Sequence, residues 1–528
     1  MDAIGEEDLR DCLGKLAKAE VNIRDYSLGE NELQIIRKLA EVSRIMDRLF
    51  LSQVCKSNLD IFDQLLKSGG DYDRLLLEYF IYNMGPWDRR NGDKPFIGKT
   101  KKDERAEFYP ESIAKDEISS WLAVHPEMKS AFTSYFTVIK RKGNGLIAVP
   151  YSEEYKTYLS AAAKLLEEAA ALSDNASLKR YLNARAEAFM KNDYCRSDID
   201  WMRLDSKIEP TIGPYEVYED RFLGYKASFE SFIGIKDGQE SAKLGIYSEH
   251  LGKIDELLPV DKAYRFTKKS QKSYISVVDE VFAGGSANAG YTVAAFNLPN
   301  DERVRKTEGS KKVLLKNMML ERFRQMVVKI SKKLIDESQH GMLNEESYFN
   351  FVLFHELSHG LGPAESIDSK GNAVPVNESL RELYSHLEEA KADMASIFCA
   401  LYFIDNGILT KKAENEFYVI YLGVLFWTLR SGLNEAHAKG NAVIFNWLRK
   451  EGAIAYDGSK RRFSVDYAKF KKSFMGMLIE LNNIQASGDY ERALALTEKH
   501  GFMPKEISAN LREIEDVPVD IKPFFKVA

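Results

Sequence analysis

A chain of 528 residues has room for two or three domains or two large lobes. Its 45% hydrophobic and 29% charged residues are those of a soluble globular protein. A net charge of −6 and a pI near 5.9 exclude the basic surface that nucleic acid or an anionic membrane would require.

The first residues, Met1-Asp-Ala-Ile-Gly-Glu-Glu-Asp8, are acidic and carry no apolar stretch. No signal peptide is therefore expected, and a cytoplasmic location is. Residues 1–195 read mainly as helices, with helical periodicity over 33–51 and 155–172 and two alanine triplets in the latter run. Gly, Pro and charge over 85–112 predict a long surface excursion. Around Ile208 the texture changes. Residues 212–218 and 227–233 alternate aromatic or β-branched with polar residues, as strands do. A further strand is expected over 291–297, preceded by a turn at Gly284-Gly285 and closed by Leu298-Pro299-Asn300. From Lys311 onward helices dominate again. The most apolar run, 418–429, is too short to span a bilayer and reads as a core helix. The four cysteines, Cys12, Cys55, Cys195 and Cys399, are scattered, which excludes a disulfide framework and a cysteine-ligated zinc.

One stretch carries chemistry. His355-Glu356-Leu357-Ser358-His359 places two imidazoles four residues apart, on one face of a helix, where both can reach one metal ion. Glu356 is offset around that helix and can act on a metal-activated water as general base. Asn344 is a candidate N-cap, Glu345 and Glu346 suit the first turn, and Gly360, Gly362 and Pro363 end the helix. A catalytic zinc takes three protein ligands and leaves a position for water. The third is sought on the run 380–401, where Leu380, Leu383, Leu387, Ala390, Met394, Ile397 and Leu401 make one apolar stripe. Beside it run Glu382, His386, Glu389 and Asp393. Glu389 is taken as third ligand, Asp393 as the acceptor of a ligand histidine N–H, and His386 as the competing ligand.

Together these blocks resemble the dipeptidyl peptidase III family of zinc exopeptidases. The resemblance rests on the His355–His359 motif and on Glu388-Glu389-Ala-Lys-Ala-Asp393, close to the family's Glu-Glu-x-Arg-Ala-Glu. It also rests on Phe296-Asn-Leu-Pro-Asn300 with Arg305-Lys-Thr-Glu-Gly309, on Glu435-Ala-His437, and on Tyr215-Glu-Val-Tyr-Glu-Asp220. These blocks span roughly 208–450 in the family's order.

The resemblance implies an α+β, predominantly helical protein with two lobes around a wide cleft. One lobe is helical and holds zinc; the other is mixed, with a small β-barrel-like sheet. Expected segments are 1–236 (helical N-terminal part and start of the β-containing lobe), 237–280 (helical lobe), 281–326 (β-containing lobe), 327–504 (zinc-bearing catalytic lobe) and 505–528 (return to the β-containing lobe). Implied roles are one zinc ion on His355, His359 and Glu389, with Glu356 as base and Glu388 and Asp393 behind the ligands. Tyr218 and His437 are implied to stabilise the tetrahedral intermediate, and Glu216, Asn297 and Asn300 to hold the free amino terminus of a short peptide. The implied activity is release of dipeptides, by a monomer or homodimer that binds neither nucleic acid nor membrane. Two alternatives stay open: a zinc aminopeptidase or oligopeptide endopeptidase of the same fold, and a non-catalytic peptide-binding protein. The chain departs from the family in three places. Its zinc motif has five residues where most members have six, Asn441 stands where the family has Arg, and the loop after His359, with a likely turn at 368–372, is short.

Overall fold

The computed structural model describes residues 2–261, 273–367 and 371–527. It divides into two compact units. The first comprises Met1–Ser241, Lys272–Met318 and Asp520–Ala528, the second Ala242–Gln271 and Met319–Val519.

The first unit is organised by helix α1 (Glu30–Val54), whose residues Ile35, Ile36, Leu39, Val42, Met46 and Leu49 repeat at helical spacing and are all buried. The helix lies on a five-stranded sheet of β1 (Ile208–Glu216), β2 (Ser228–Lys236), β3 (Ser273–Gly285), β4 (Ala295–Leu298) and β5 (Ser310–Leu315). The contact is close enough that a Cβ added at Gly284 of β3 would lie 2.4 Å from the Ser43 carbonyl oxygen of α1. The strand order is β1-β2-β3-β5-β4, mixed because β5 runs parallel to β3 while the other neighbours are antiparallel. The expected barrel-like element is thus an open sheet, with β1 and β4 at its two edges.

The strands read from the alternation are present and are buried on both faces: eight of the nine residues in β1 and in β2 are buried. The buried acidic side chain of β1, Glu209, is paired, accepting from the Lys311 ammonium. The strand expected over 291–297 shrinks to Ala295–Leu298, because Thr292 bonds elsewhere. Its N–H donates to Asp520 (3.1 Å) and its hydroxyl to the Ile521 carbonyl (2.8 Å). Residues 85–112 are irregular and mostly at the surface, but they are anchored by the buried Trp87, Phe96, Ile97, Phe108 and Tyr109. Below the end of β1, the Arg185 guanidinium is fully buried, 2.5 Å from Asp198 and 5.3–5.6 Å from the ring centres of Tyr181, Tyr194 and Tyr215. This fixes the backbone next to Glu216. Finally, Leu16–Asn22 pairs in parallel with Asp520–Lys526.

The second unit is helical. Its main elements are α2 (Glu345–Ser358), α3 (Tyr384–Asp405), α4 (Ala413–Leu429), α5 (Ala436–Lys450), α6 (Tyr467–Ser487) and α7 (Tyr490–His500). Helix α4 is the apolar core helix expected from its sequence, buried all round. The run 380–401 is not one helix: Arg381 adopts φ +51°, which breaks it, and α3 starts at Tyr384. Nor is α3 covered only along the one apolar stripe read from the sequence. It is surrounded by α2, α4, α5 and α6, so its acidic side chains face inward. The turn expected at 368–372 lies in part outside the described residues; its flanks Glu365–Ile367 and Ala373–Pro375 form a short antiparallel pair.

Helices α5 and α3 meet at Gly440, where an added Cβ would lie 2.4 Å from the His386 carbonyl oxygen. Because backbone rather than a flexible side chain occupies the space, Gly440→Ala should destabilise the protein by about 1–3 kcal/mol. Denaturant unfolding of the variant measures this, and an unchanged midpoint would contradict the packing described.

Candidate active site

The Asn344 side chain accepts from Ser347 N–H (3.0 Å), so the cap read from the sequence starts α2 and sets the phase of its last turns. That phase turns His355 inward, 7% exposed, with His359 just past the helix end. Each imidazole has one nitrogen engaged by a carboxylate of α3. His355 Nδ1 is 2.7 Å from Asp393 Oδ1, and His359 Nδ1 is 3.1 Å from Glu388 Oε1. With Nδ1–H donated in both rings, both Nε2 lone pairs are left facing one point. The two Nε2 atoms are 3.2 Å apart, and Glu389 Oε2 lies 3.3 Å from the first and 3.7 Å from the second.

Four-coordinate zinc with bonds of ~2.0–2.1 Å would hold its ligand atoms about 3.3 Å apart, which is the spacing of this triad. His437 Nε2 approaches the same Glu389 oxygen at 2.9 Å, on a side chain that is 58% exposed. Among the described residues, His355, Glu389 and His437 form a group that could hold a metal ion, with donor atoms within 4.8 Å of one another. His359 Nε2 is farther from Glu389 Oε2, at 3.7 Å, but lies 3.2 Å from His355 Nε2, so it faces the same point. Glu389 Oε2 is buried and makes no hydrogen bond of good geometry despite three ring nitrogens around it. An acceptor ringed by lone-pair donors fits a cation. The charges agree: burial would lower His355, but Asp393 and Glu389 raise it well above its usual value. Burial would raise Glu389, but His355 and His437 hold it well below its usual value.

Behind the donors lies a layer that sequence reading found only in part. Glu388 also receives Gln485 Nε2 (2.8 Å) and sits 2.8 Å from the Lys391 ammonium. Burial would raise Glu388, but Lys391 and His359 hold it at about 2. Lys391 was visible one turn after Glu388, whereas Gln485, on α6, had no local signal. Glu356 is half-buried beside His355. Asn441 is buried, 3% exposed, and its amide meets the Tyr421 hydroxyl (3.1 Å), so it does not occupy an exposed position as an arginine donor would. His386, the competing ligand, points away: its Nε2 is 2.9 Å from Thr497 of α7.

In the first unit, Glu216 and Tyr218 line a cavity of about 210 Å³ together with Phe50, Arg89, Ser228 and Tyr291. Burial raises the Glu216 carboxyl, with hydrogen bonds from Asn300 and Tyr218 opposing. Asn300 also donates to the Tyr215 carbonyl (3.0 Å), which ties it to the end of β1. Tyr218 is 78% exposed, and Asn297 is exposed on β4.

A model of Peptidase family M49 matches residues 129–379. Nudix hydrolase 3 of Arabidopsis thaliana is 34% identical over 95% of this chain and 72% of its own length. Dipeptidyl peptidase 3 of Dictyostelium discoideum is 28% identical over 73% of this chain and 62% of its own. Among solved structures, DPP III from Caldithrix abyssi is 42% identical, with 99% of each chain covered and a TM-score of 0.94. DPP III from Corallococcus sp. strain EGB is 36% identical, covering 99% of this chain and 98% of its own, with a TM-score of 0.81. Fold and comparisons together define a metallopeptidase, a hydrolase of peptide bonds. The chain belongs to peptidase family M49, the dipeptidyl peptidase III family. Among the described residues no helix is long and apolar enough to cross a membrane.

His386 gives this unit a pH dependence. Burial first, and Lys439 second, lower it from 6.5 to about 4. The unfolded chain takes up this proton as pH falls below about 6.5, and the folded chain resists until about 4. The contribution is therefore complete above pH 6.5 and lost between 6.5 and 4, at most about 3 kcal/mol at ~1.4 kcal/mol per unit. Unfolding of His386→Gln across this range should show a flatter pH profile than the parent; an equal slope would assign the dependence to other groups.

Proposed function

We propose that this chain is a zinc-dependent exopeptidase that releases dipeptides from the free amino terminus of short peptides. The observation that carries the metal part is the convergence of His355 Nε2, His359 Nε2 and Glu389 Oε2, with both Nδ1 atoms already held by carboxylates. These three residues would hold the ion, and Glu388 and Asp393 would fix the rings. Bound there, zinc polarises the scissile carbonyl and brings the pKa of a water toward ~7.

The remaining work falls to side chains. Glu356 removes the proton from the attacking water at its carboxylate and returns it to the leaving amine nitrogen. His437, half exposed and raised above its usual value by Glu389, supplies a proton donor for the oxygen on which negative charge develops. Tyr218 is assigned the same role by its match to the family motif. Glu216 is half-buried, with its carboxyl raised by burial, so a substrate ammonium would restore its charge. Asn297 and Asn300 would accept from the same ammonium through their amide oxygens. Holding the amino terminus counts residues to the cut, which is how a dipeptide becomes the product.

The reading is tested by metal content, by base removal and by product analysis. Purified protein should contain near one equivalent of zinc, lost in His355→Ala. Glu356→Gln should keep the metal and lose roughly 10²–10⁴-fold in kcat. An unmodified peptide should yield dipeptides while its amino-blocked form resists. Cleavage of the blocked form would replace the exopeptidase assignment with an endopeptidase of the same fold, and unchanged turnover by Glu356→Gln would remove the mechanism.

A further inference from the structure

Helix α4 is largely apolar over Tyr418–Leu429, yet it carries two buried phenols, of which Tyr421 faces the metal-site helices. Tyr421 is 0% exposed. A hydroxyl at such a position costs stability unless it is paired. Its oxygen is 3.2 Å from Asp393 Oδ2 and 3.1 Å from the side-chain amide of Asn441. The other oxygen of Asp393 engages His355 Nδ1 at 2.7 Å. The Tyr421 ring lies 5.3 Å, centre to centre, from that of Phe351, one turn before His355 on the same helix. A continuous chain thus runs from Asn441 on α5 through Tyr421 on α4 and Asp393 on α3 to His355 on α2. Every member is at least nine-tenths buried.

Proton accounting sets the direction of this chain. A phenol has one proton and cannot donate fully to both neighbours. The two ends of an asparagine amide have nearly the same shape. With the amide turned so that Nδ2 meets the phenol, Asn441 donates to Tyr421 oxygen, Tyr421 donates to Asp393 Oδ2, and His355 Nδ1–H donates to Asp393 Oδ1. Each contact of the chain then has one hydrogen and one acceptor. Asp393 is held at both oxygens and cannot rotate, so the His355 ring is fixed in the tautomer that presents Nε2.

We propose that Tyr421 and Asn441 are positioning residues for the metal centre, setting through Asp393 the tautomer and orientation of His355. This rests on the metal-binding reading given above. It also gives Asn441, at a position where the family has Arg, an internal task in place of contact with substrate.

The test uses the full-length protein. Zinc affinity is measured by chelator competition, and geometry by the visible spectrum of the cobalt-loaded protein, for the parent, Tyr421→Phe, Asn441→Asp and the control Tyr418→Phe. Tyr418 is a buried phenol on the same helix whose hydroxyl donates to Glu414 (3.2 Å), away from His355. Tyr421→Phe should weaken zinc binding roughly 10–100-fold and shift the cobalt bands. It should lower kcat while KM stays within about twofold, as expected when ground-state binding is untouched. Asn441→Asp removes the amide donor and should do the same, while Tyr418→Phe should leave affinity and spectrum unchanged. Parental zinc affinity and cobalt spectrum in Tyr421→Phe would overturn the proposal alone. Parental behaviour of Asn441→Asp would overturn the part assigned to Asn441. A parent protein that binds no zinc would overturn the metal reading, and this one with it.

Discussion

The candidate site in the second unit depends on two carboxylates taking the Nδ1 protons of two histidines. An imidazole with both nitrogens unassigned can bind a proton, a metal or a neighbour in several ways. Asp393 and Glu388 remove that freedom, and what is left is a pair of Nε2 atoms 3.2 Å apart. Since the third donor, Glu389, sits on the same helix as both carboxylates, α3 must be central, buried and correctly phased. Its burial raises the desolvation cost of three acidic groups, which Lys391, Gln485 and the imidazoles offset. Helix α3 therefore carries charge where a core helix would otherwise carry leucine.

The local part of this arrangement was legible in the sequence. The spacing of His355 and His359, the Asn344 cap and the carboxylates at 388, 389 and 393 are relations within one helix each, and helical geometry alone fixes them. The predominantly helical character and the mixed β element were legible for the same reason. What was not legible comes from distant parts of the chain. Gln485, Tyr421 and Asn441 approach Glu388 and Asp393 across helix interfaces, and no spacing rule reports that. The sequence showed one apolar stripe on the run 380–401, but it does not say how many sides of a helix are covered, so the full burial of α3 was not legible. The aromatics of 85–112 were hidden among glycines and charges. His386 is instructive: it shares a helix with Glu389, but its place one turn earlier sends it to Thr497.

His437 belongs to two descriptions at once. Its Nε2 is the closest ring nitrogen to Glu389 Oε2, so by distance it falls in the cation-holding group, yet it is half exposed where His355 is buried. A buried ring and an exposed ring on one carboxylate oxygen suit different tasks, one fixed and one able to exchange partners. Gly440, three residues on, keeps α5 close enough to α3 for that approach.

The pairing of Leu16–Asn22 with Asp520–Lys526 has a consequence for how the chain matures. The first unit is assembled from three stretches of sequence, and its last strand is made after all of 319–519, which belongs to the second unit. The stretch 319–519 is therefore complete before that strand exists. The helical unit can thus collapse early, whereas the parallel pair must close a loop of about five hundred residues, at an entropy cost that grows only slowly with length. Completion of the first unit is a late, long-range event, and until it happens Leu16–Asn22 is an edge without its partner.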